Sequence, residues 1–278
     1  MSQAFQLIDG IKCYAPALAA ENDGFFAESF QLLYEVEDRN FWFVARNQVI
    51  QHLFGKYVGT GAASVLEIGC GTGYVLAGLE KRFPKYQLKG SEIHLEGIRF
   101  AQKRLPSVAF IQLDATSMPF EDAFEAVGAF DVLEHISDDE QVLREIFKSL
   151  KRGGHLVLSV PQYQFMWSVA DDIAFHKRRY HRKELHRKLT QAGFEVKYLS
   201  AFVFTLFPLM YFSRIVRGKY RHRALSKDEI LQLSMQELRL HPLLNRVFSG
   251  LMRLDIGLIR LGISLPWGGS LIAVAKKR

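Results

Sequence analysis

Three glycines, Gly69, Gly71 and Gly73, follow directly on the apolar run at 64–68 and precede a helical pattern. Glycine lets the chain turn sharply there and lets a ligand reach the main chain with no Cβ in the way. The first amides of the following helix then face that ligand. Glu92 stands 19 residues beyond Gly73, at the end of the next apolar run. A carboxylate in that position can accept two hydrogen bonds from ribose hydroxyls. Asp114, followed by Ala115, closes a third run, and Asp131, Glu134 and His135 close a fourth. Open α/β sheets bind ligands beyond the carboxyl ends of their strands. The pattern is that of a nucleotide cofactor held beside titratable groups.

These residues need a sheet to hold them. Strand-like runs occur at 64–68, 87–91, 108–112, 124–130, 155–160, 194–200 and 269–276, with helical patterns between them. The clearest helix is 138–150, where Asp138 can cap the first turn and Val142, Leu143, Ile146, Phe147 and Leu150 share a face. Gly153 and Gly154 end it. Strands alternating with helices of this length predict a parallel sheet covered on both faces. Residues 23–55 read as two aromatic helices able to cap the sheet or the site.

Glu67, two residues before the first glycine, and the compact Gly69-Cys70-Gly71-Thr72-Gly73 resemble motif I of class I S-adenosylmethionine-dependent methyltransferases. Within them the chain looks most like the broad type 11 group, often labelled by analogy with ubiquinone-pathway methylases. The resemblance implies S-adenosylmethionine as cofactor and S-adenosylhomocysteine as product. It implies that Gly69, Cys70, Gly71 and Gly73 pack against the methionine part. Glu67 would order the loop or contact the sulfonium side, and Glu92 with Ile93 would hold the ribose. Asp114 would accept from the adenine amine, Ala115 would leave room for the ring, and Asp131 would lie beside the cofactor. The implied fold is an α/β, Rossmann-like, doubly wound sheet of seven strands, mostly parallel, with the last antiparallel. The core would be 63–203 plus 269–278, with a helical N-terminal segment, 1–62, and a helical insertion, 204–268, before the last strand.

Two other functions stay open. A dinucleotide dehydrogenase usually shows G-x-G-x-x-G, and here the third small position comes one residue early. An NAD-dependent oxidoreductase is therefore the competing enzyme class. A partner subunit that binds the same cofactor without catalysing is the third reading.

At the mouth, His135 is the candidate catalytic base for an oxygen or nitrogen acceptor, since an imidazole ordinarily titrates near neutrality. A structural role for Asp131, Glu134 and His135 competes with it. So does metal binding, because D-x-x-E-H is similar to the E-x-x-E-H of ubiquinone-pathway and small-RNA O-methyltransferases. No metal ligand is assigned on that likeness. The following loop carries His176, Arg178, Arg179 and Tyr180, the candidate substrate-binding residues, with the arginines able to clamp a phosphate or carboxylate. Pairing with Asp171 and Asp172 is the plainer reading of those arginines.

Charge is uneven. Residues 1–150 hold 13 Lys/Arg against 21 Asp/Glu, and residues 151–278 hold 23 against 8. The second half therefore favours an anionic partner: a phosphorylated substrate, an anionic membrane or a nucleic acid. Nucleic acid is the least supported, because no RNA-binding module accompanies the core. In 242–262 apolar residues recur at helical spacing, and Arg246, Arg253 and Arg260 repeat every seven residues. That is a basic amphipathic helix, a lid over the core or a contact with an anionic membrane. The aromatic run 202–212 and the cluster Arg214, Arg217, Lys219, Arg221, Arg223 add to it. Two cysteines form no disulfide framework or metal spacing, and the first residues lack a signal-peptide pattern. The expectation is a cytoplasmic enzyme of small molecules, with peripheral membrane contact open.

Overall fold

The computed structural model describes residues 4–20, 27–216 and 226–278. The chain begins with strands β1 (Gln6–Ile8) and β2 (Ile11–Cys13), then helices α1 (Pro16–Ala20), α2 (Ala27–Val36) and α3 (Phe41–Tyr57). Alternation follows: β3 (Ala63–Ile68), α4 (Tyr74–Arg82), β4 (Tyr86–Glu92), α5 (Leu95–Arg104), β5 (Ala109–Gln112) and β6 (Phe124–Phe130). Then come α6 (Asp139–Ser149), β7 (Leu150–Pro161), α7 (Val169–Ile173), α8 (Arg182–Gln191) and β8 (Phe194–Phe202). Helices α9 (Phe207–Val216), α10 (Lys227–Leu238) and α11 (Pro242–Arg260) precede the last strand, β9 (Ser270–Lys277).

The sheet runs in the order β1-β2-β5-β4-β3-β6-β7-β9-β8. Strands β2 through β7 pair in parallel, and β9 runs antiparallel between β7 and β8. The α/β, mostly parallel architecture with an antiparallel last strand is as expected. The strand count is not: nine rather than seven. The two additional strands form an antiparallel hairpin inside the segment read as helical. Its turn is Asp9-Gly10, both at positive φ, 50° and 78°. An Asp-Gly pair is what a two-residue hairpin turn needs. The strands themselves are three residues each, too short to show alternation.

Central strands are largely apolar because helices cover both faces. Leu156, Val157, Leu158 and Val160 of β7 are all fully buried. On one face Val49, Leu53 and Phe54 of α3 pack with Met252, Ile256 and Ile259 of α11. On the other, Val142, Leu143 and Ile146 of α6 pack with Leu185 and Leu189 of α8. Helix α6 starts where the sequence places it, with the Asp138 side chain accepting from the Gln141 N–H at 3.0 Å.

The helices before and after the core meet each other. Asn40 Nδ2 donates to the Leu238 carbonyl at 3.0 Å, and the Phe41 N–H to Asn245 Oδ1 at 2.8 Å. Phe41 and Phe248 rings meet edge-on at 5.2 Å. The buried Asp255 of α11 accepts from the N–H groups of Phe204 and Thr205, which satisfies donors just before α9. Arg217, Lys219, Arg221 and Arg223 lie outside the described residues.

Candidate active site

Strands β3, β4, β5 and β6 deliver their carboxyl ends to one cavity of about 1410 Å³. Glu67, Gly69, Cys70, Gly71, Glu92, Ile93, Asp114, Ala115 and Asp131 all line it. Gly73 does not; at φ 77° it turns the chain into α4. Gly69, at φ 62°, lies so close to Val132 that a Cβ would come within 2.5 Å of that side chain. Gly71, at φ 51°, has nothing within 4 Å of where its Cβ would be. That open space is where a ligand can rest on the main chain.

Glu92 reaches back over the loop. Its Oε2 accepts from the Gly71 N–H at 3.0 Å, and its Oε1 from the N–H groups of Ile93 and His94 at 2.8 and 3.2 Å. Asp114 accepts from the backbone and hydroxyl of Thr116 at 2.8 and 2.7 Å, which fixes its carboxylate at the cavity wall. Glu67 is buried and its Oε2 has no hydrogen-bond partner. Burial pushes its carboxyl well above the usual range, with the Arg46 charge opposing.

Arg46 is the residue that reading the motifs missed. It lines the cavity from α3, pairs with Asp131, and lies over the Trp42 ring at 4.4 Å. Its Nε is buried without a partner. The signal was present as Trp42 and Arg46 four apart on one helix face, a spacing that brings side chains together. The N-terminal helices are fixed to the glycine loop as well. Glu37 accepts from the Thr72 hydroxyl at 2.6 Å and pairs with Arg104 at 2.8 Å.

The acceptor end is aromatic. Phe30, Trp42, Phe43, Trp167 and Phe175 contribute to its wall, with Ile230 from α10. Its polar lining includes His135, Ser137, Asp172, His176 and Lys177. The His135 and His176 rings meet edge-on at 4.8 Å. Burial and the neighbouring His176 bring His135 down to about 3, so it is held neutral. The His176 Nδ1 pairs with Asp171 Oδ1 at 2.8 Å. Burial alone would raise Asp171, but the His176 hydrogen bond and the Arg179 charge hold it well below the carboxylate range. An ionised carboxylate only accepts, so Nδ1 carries the proton.

Arg178, Arg179 and Tyr180 stand away from the cavity wall. Arg179 Nε and Nη2 reach Asp171 at 2.6 and 3.1 Å. Arg178 pairs with Asp139 at 3.0 Å, and the Tyr180 hydroxyl donates to Asp139 at 2.6 Å. Of the four candidate substrate-binding residues, only His176 faces the site. Buried carboxylates claim the others: Asp171 takes Arg179, as the plainer reading had it, whereas Arg178 and Tyr180 go to Asp139, which that reading did not name.

Glu134, His135 and His176 also offer ligand atoms within 4.8 Å of one another. Both Glu134 oxygens are buried and without hydrogen bonds. Burial, then the Asp131 charge, pushes its carboxyl well above its ordinary value. Asp131, first in the D-x-x-E-H pattern, is outside that group and pairs with Arg46 instead.

A glycine loop and strand-end acids around one cavity define a class I, Rossmann-like cofactor domain. Residues 66–158 match the family described as "Methyltransferase domain". This part of the chain is a class I, S-adenosylmethionine-dependent methyltransferase domain. A "Probable S-adenosylmethionine-dependent methyltransferase" of Mycolicibacterium smegmatis is 30% identical over 167 residues, 58% of this chain and 62% of that protein. The chain thus spans about three fifths of the length of such curated relatives. A malonyl-[acyl-carrier protein] O-methyltransferase of Bacillus cereus is 31% identical over 106 residues, 37% of this chain and 39% of that protein. Among solved structures, a phosphoethanolamine N-methyltransferase of Haemonchus contortus with S-adenosyl-L-methionine superposes with a TM-score of 0.59. It is 14% identical, over 98% of this chain and 61% of that one, a likeness of fold. Among the described residues no helix is long and apolar enough to cross a membrane.

Proposed function

We propose that the protein transfers a methyl group from S-adenosylmethionine to an oxygen of a small, largely apolar acceptor and releases S-adenosylhomocysteine. The observation that carries this reading is the continuity of the cavity. The glycine loop, Glu92 and Asp114 line one end, and Phe30, Trp42, Phe43, Trp167 and Phe175 wall the other. Its 1410 Å³ exceeds the roughly 300–1,000 Å³ of single-ligand pockets, which leaves room for cofactor and acceptor together.

Each residue has a part. Glu92 and Ile93 hold the ribose, and Asp114 with Ala115 holds the adenine. The opposite charges of Arg46 and Asp131 match the carboxylate and ammonium of the methionine moiety. Methyl transfer from a sulfonium is an in-line displacement, so alignment supplies most of the acceleration. His135 and His176 stand where an oxygen acceptor must lose its proton. Of the two, His176 is our candidate base: it lines the cavity with Asp171 holding its Nδ1, whereas burial makes His135 a weak base. Arg178 and Arg179 are committed to carboxylates, so among the described residues at the acceptor end Lys177, whose Nζ donates to the Ser137 hydroxyl at 2.9 Å, is the cation we assign to an acidic group on the acceptor.

Calorimetry with S-adenosylmethionine, S-adenosylhomocysteine and NADH tests the cofactor. Binding of the first two is expected; binding of NADH alone overturns the reading in favour of an oxidoreductase. Arg46→Met is expected to weaken S-adenosylmethionine by about tenfold or more, the worth of a charge-assisted hydrogen bond. Unchanged affinity removes Arg46 from the cofactor site. A cofactor that binds but never turns over, across a panel of phenolic and acidic acceptors, favours the partner-subunit reading.

A second reading rests on the orphaned carboxylate of Glu134. Two bare oxygens in the interior are costly, and a divalent cation held by Glu134, His135 and His176 would satisfy them. Asp171 would then orient the His176 ligand from behind. Such an ion would ease deprotonation of an acceptor hydroxyl. A magnesium, manganese or zinc titration followed by thermal unfolding decides it. Stabilisation lost in Glu134→Gln supports the ion, and an unchanged midpoint with all three metals removes it.

A further inference from the structure

The outer face of α11 has no counterpart in the catalytic machinery. The inner face buries Met252, Asp255, Ile256 and Ile259. Outward, Leu243, Val247 and Leu254 are 62%, 50% and 58% exposed, and Leu261, just past the helix end, is 78% exposed. Their spacing of four, seven and seven residues keeps them within a narrow angular stripe, at about 100° per residue. Arg246, Arg253 and Arg260 are exposed along its flank. Asp255 is the one acid of the helix, and it is buried and hydrogen-bonded to the backbone before α9. The outer face is therefore apolar and cationic, with no carboxylate of its own. Trp267, beyond the helix end, is also exposed and packs on Phe204 at 5.3 Å.

We propose that this face docks the protein on an anionic phospholipid bilayer. An apolar stripe flanked by arginines is how a helix lies in the interface plane, with leucines at the acyl boundary and guanidinium groups at the phosphates. An indole at one end suits the headgroup level. Charge complementarity selects the occupant. A second copy of the chain would set three arginines against three more, with no acid on either helix face to answer them. A phosphate surface answers all three. The proposal does not depend on methyl transfer.

The test uses the full chain and sedimentation with vesicles. One set is phosphatidylcholine alone, and the other carries about 30 mol% phosphatidylglycerol. Binding is expected to the anionic set only, and to fall as salt rises toward about 0.5 M. Replacing Arg246, Arg253 and Arg260 together by Gln is expected to weaken binding about a hundredfold, at about a fivefold loss per arginine. Val247→Ser with Leu254→Ser is expected to weaken it about tenfold. Both variants should keep the wild-type affinity for S-adenosylhomocysteine, or the wild-type unfolding midpoint if that ligand does not bind. Wild-type protein that stays in the supernatant with both vesicle sets overturns the proposal. So does anionic binding that the arginine variant retains. So does a dimer in sedimentation velocity that Val247→Ser with Leu254→Ser dissociates, since the stripe is then a self-contact.

Discussion

The two ends of the cavity are built in opposite ways. The cofactor end comes from consecutive strand ends between Glu67 and Ala115, and much of its shape is backbone: glycines, strand termini and the start of a helix. The acceptor end is assembled from segments far apart in sequence. Phe30 and Trp42 come from the N-terminal helices, His135 from the turn after β6, Trp167 and His176 from the loop after β7, and Ile230 from α10. One end is fixed by the local chemistry of successive strand ends. The other is fixed by how distant helices pack, so it can change acceptor without disturbing the first.

If that division holds, the largest stability loss comes from the acceptor side and leaves the cofactor alone. Asp171 is fully buried and holds both Arg179 and His176. Asp171→Asn strands a buried guanidinium, which is expected to cost about 3 kcal/mol. Urea unfolding measures the loss, and calorimetry should find cofactor affinity within about twofold of wild type. A parallel collapse of cofactor affinity would show that the two ends are one structure.

The mirror experiment is Gly71→Val. The new side chain enters open cavity rather than a neighbour, so the fold pays only for a left-handed φ, about 1 kcal/mol. Cofactor affinity is expected to fall about a hundredfold, which corresponds to about 2.7 kcal/mol. Gly69→Val, where a Cβ meets Val132 at 2.5 Å, should instead lose stability and binding together. Equal behaviour of the two glycine variants would contradict the assignment of Gly71 as the ligand's resting place.

The same division explains what was legible in the sequence. Glu67 stands within an apolar run and Gly69, Gly71, Glu92 and Asp114 each follow one, so their convergence could be deduced from the alternation of strands and helices. The spacing of Trp42 and Arg46 marked their contact but not the pairing of Arg46 with Asp131, which lies 85 residues away and is brought there only by packing. Arg178 and Arg179 resembled an anion clamp because adjacent arginines in a polar loop give no sign of the buried acids that claim them. The N-terminal hairpin escaped for a different reason: three-residue strands carry too few positions to reveal a period, although the Asp9-Gly10 turn marked it.

The ends should also respond to acid with opposite sign. Asp139, beneath the acceptor loop, takes hydrogen bonds from Lys188 and Tyr180. Burial would raise its carboxyl, yet the Lys188 and Tyr180 hydrogen bonds and the Lys188 charge hold it below the ordinary value. A depressed folded pKa gives stability that is fully present above the unfolded value, about 3.9. That stability is lost as pH falls through the folded value. Asp139→Asn should therefore be less stable than wild type at neutral pH and lose less on acidification. Glu67 at the cofactor end is raised by burial, so its charged form opposes folding and protonation relieves the cost. Glu67→Gln should gain stability near neutrality, and the gain should shrink as pH falls through the raised folded value. Urea unfolding of both variants from pH 8 down to about pH 3 reads the two slopes directly, and profiles that bend the same way would erase the contrast between the ends.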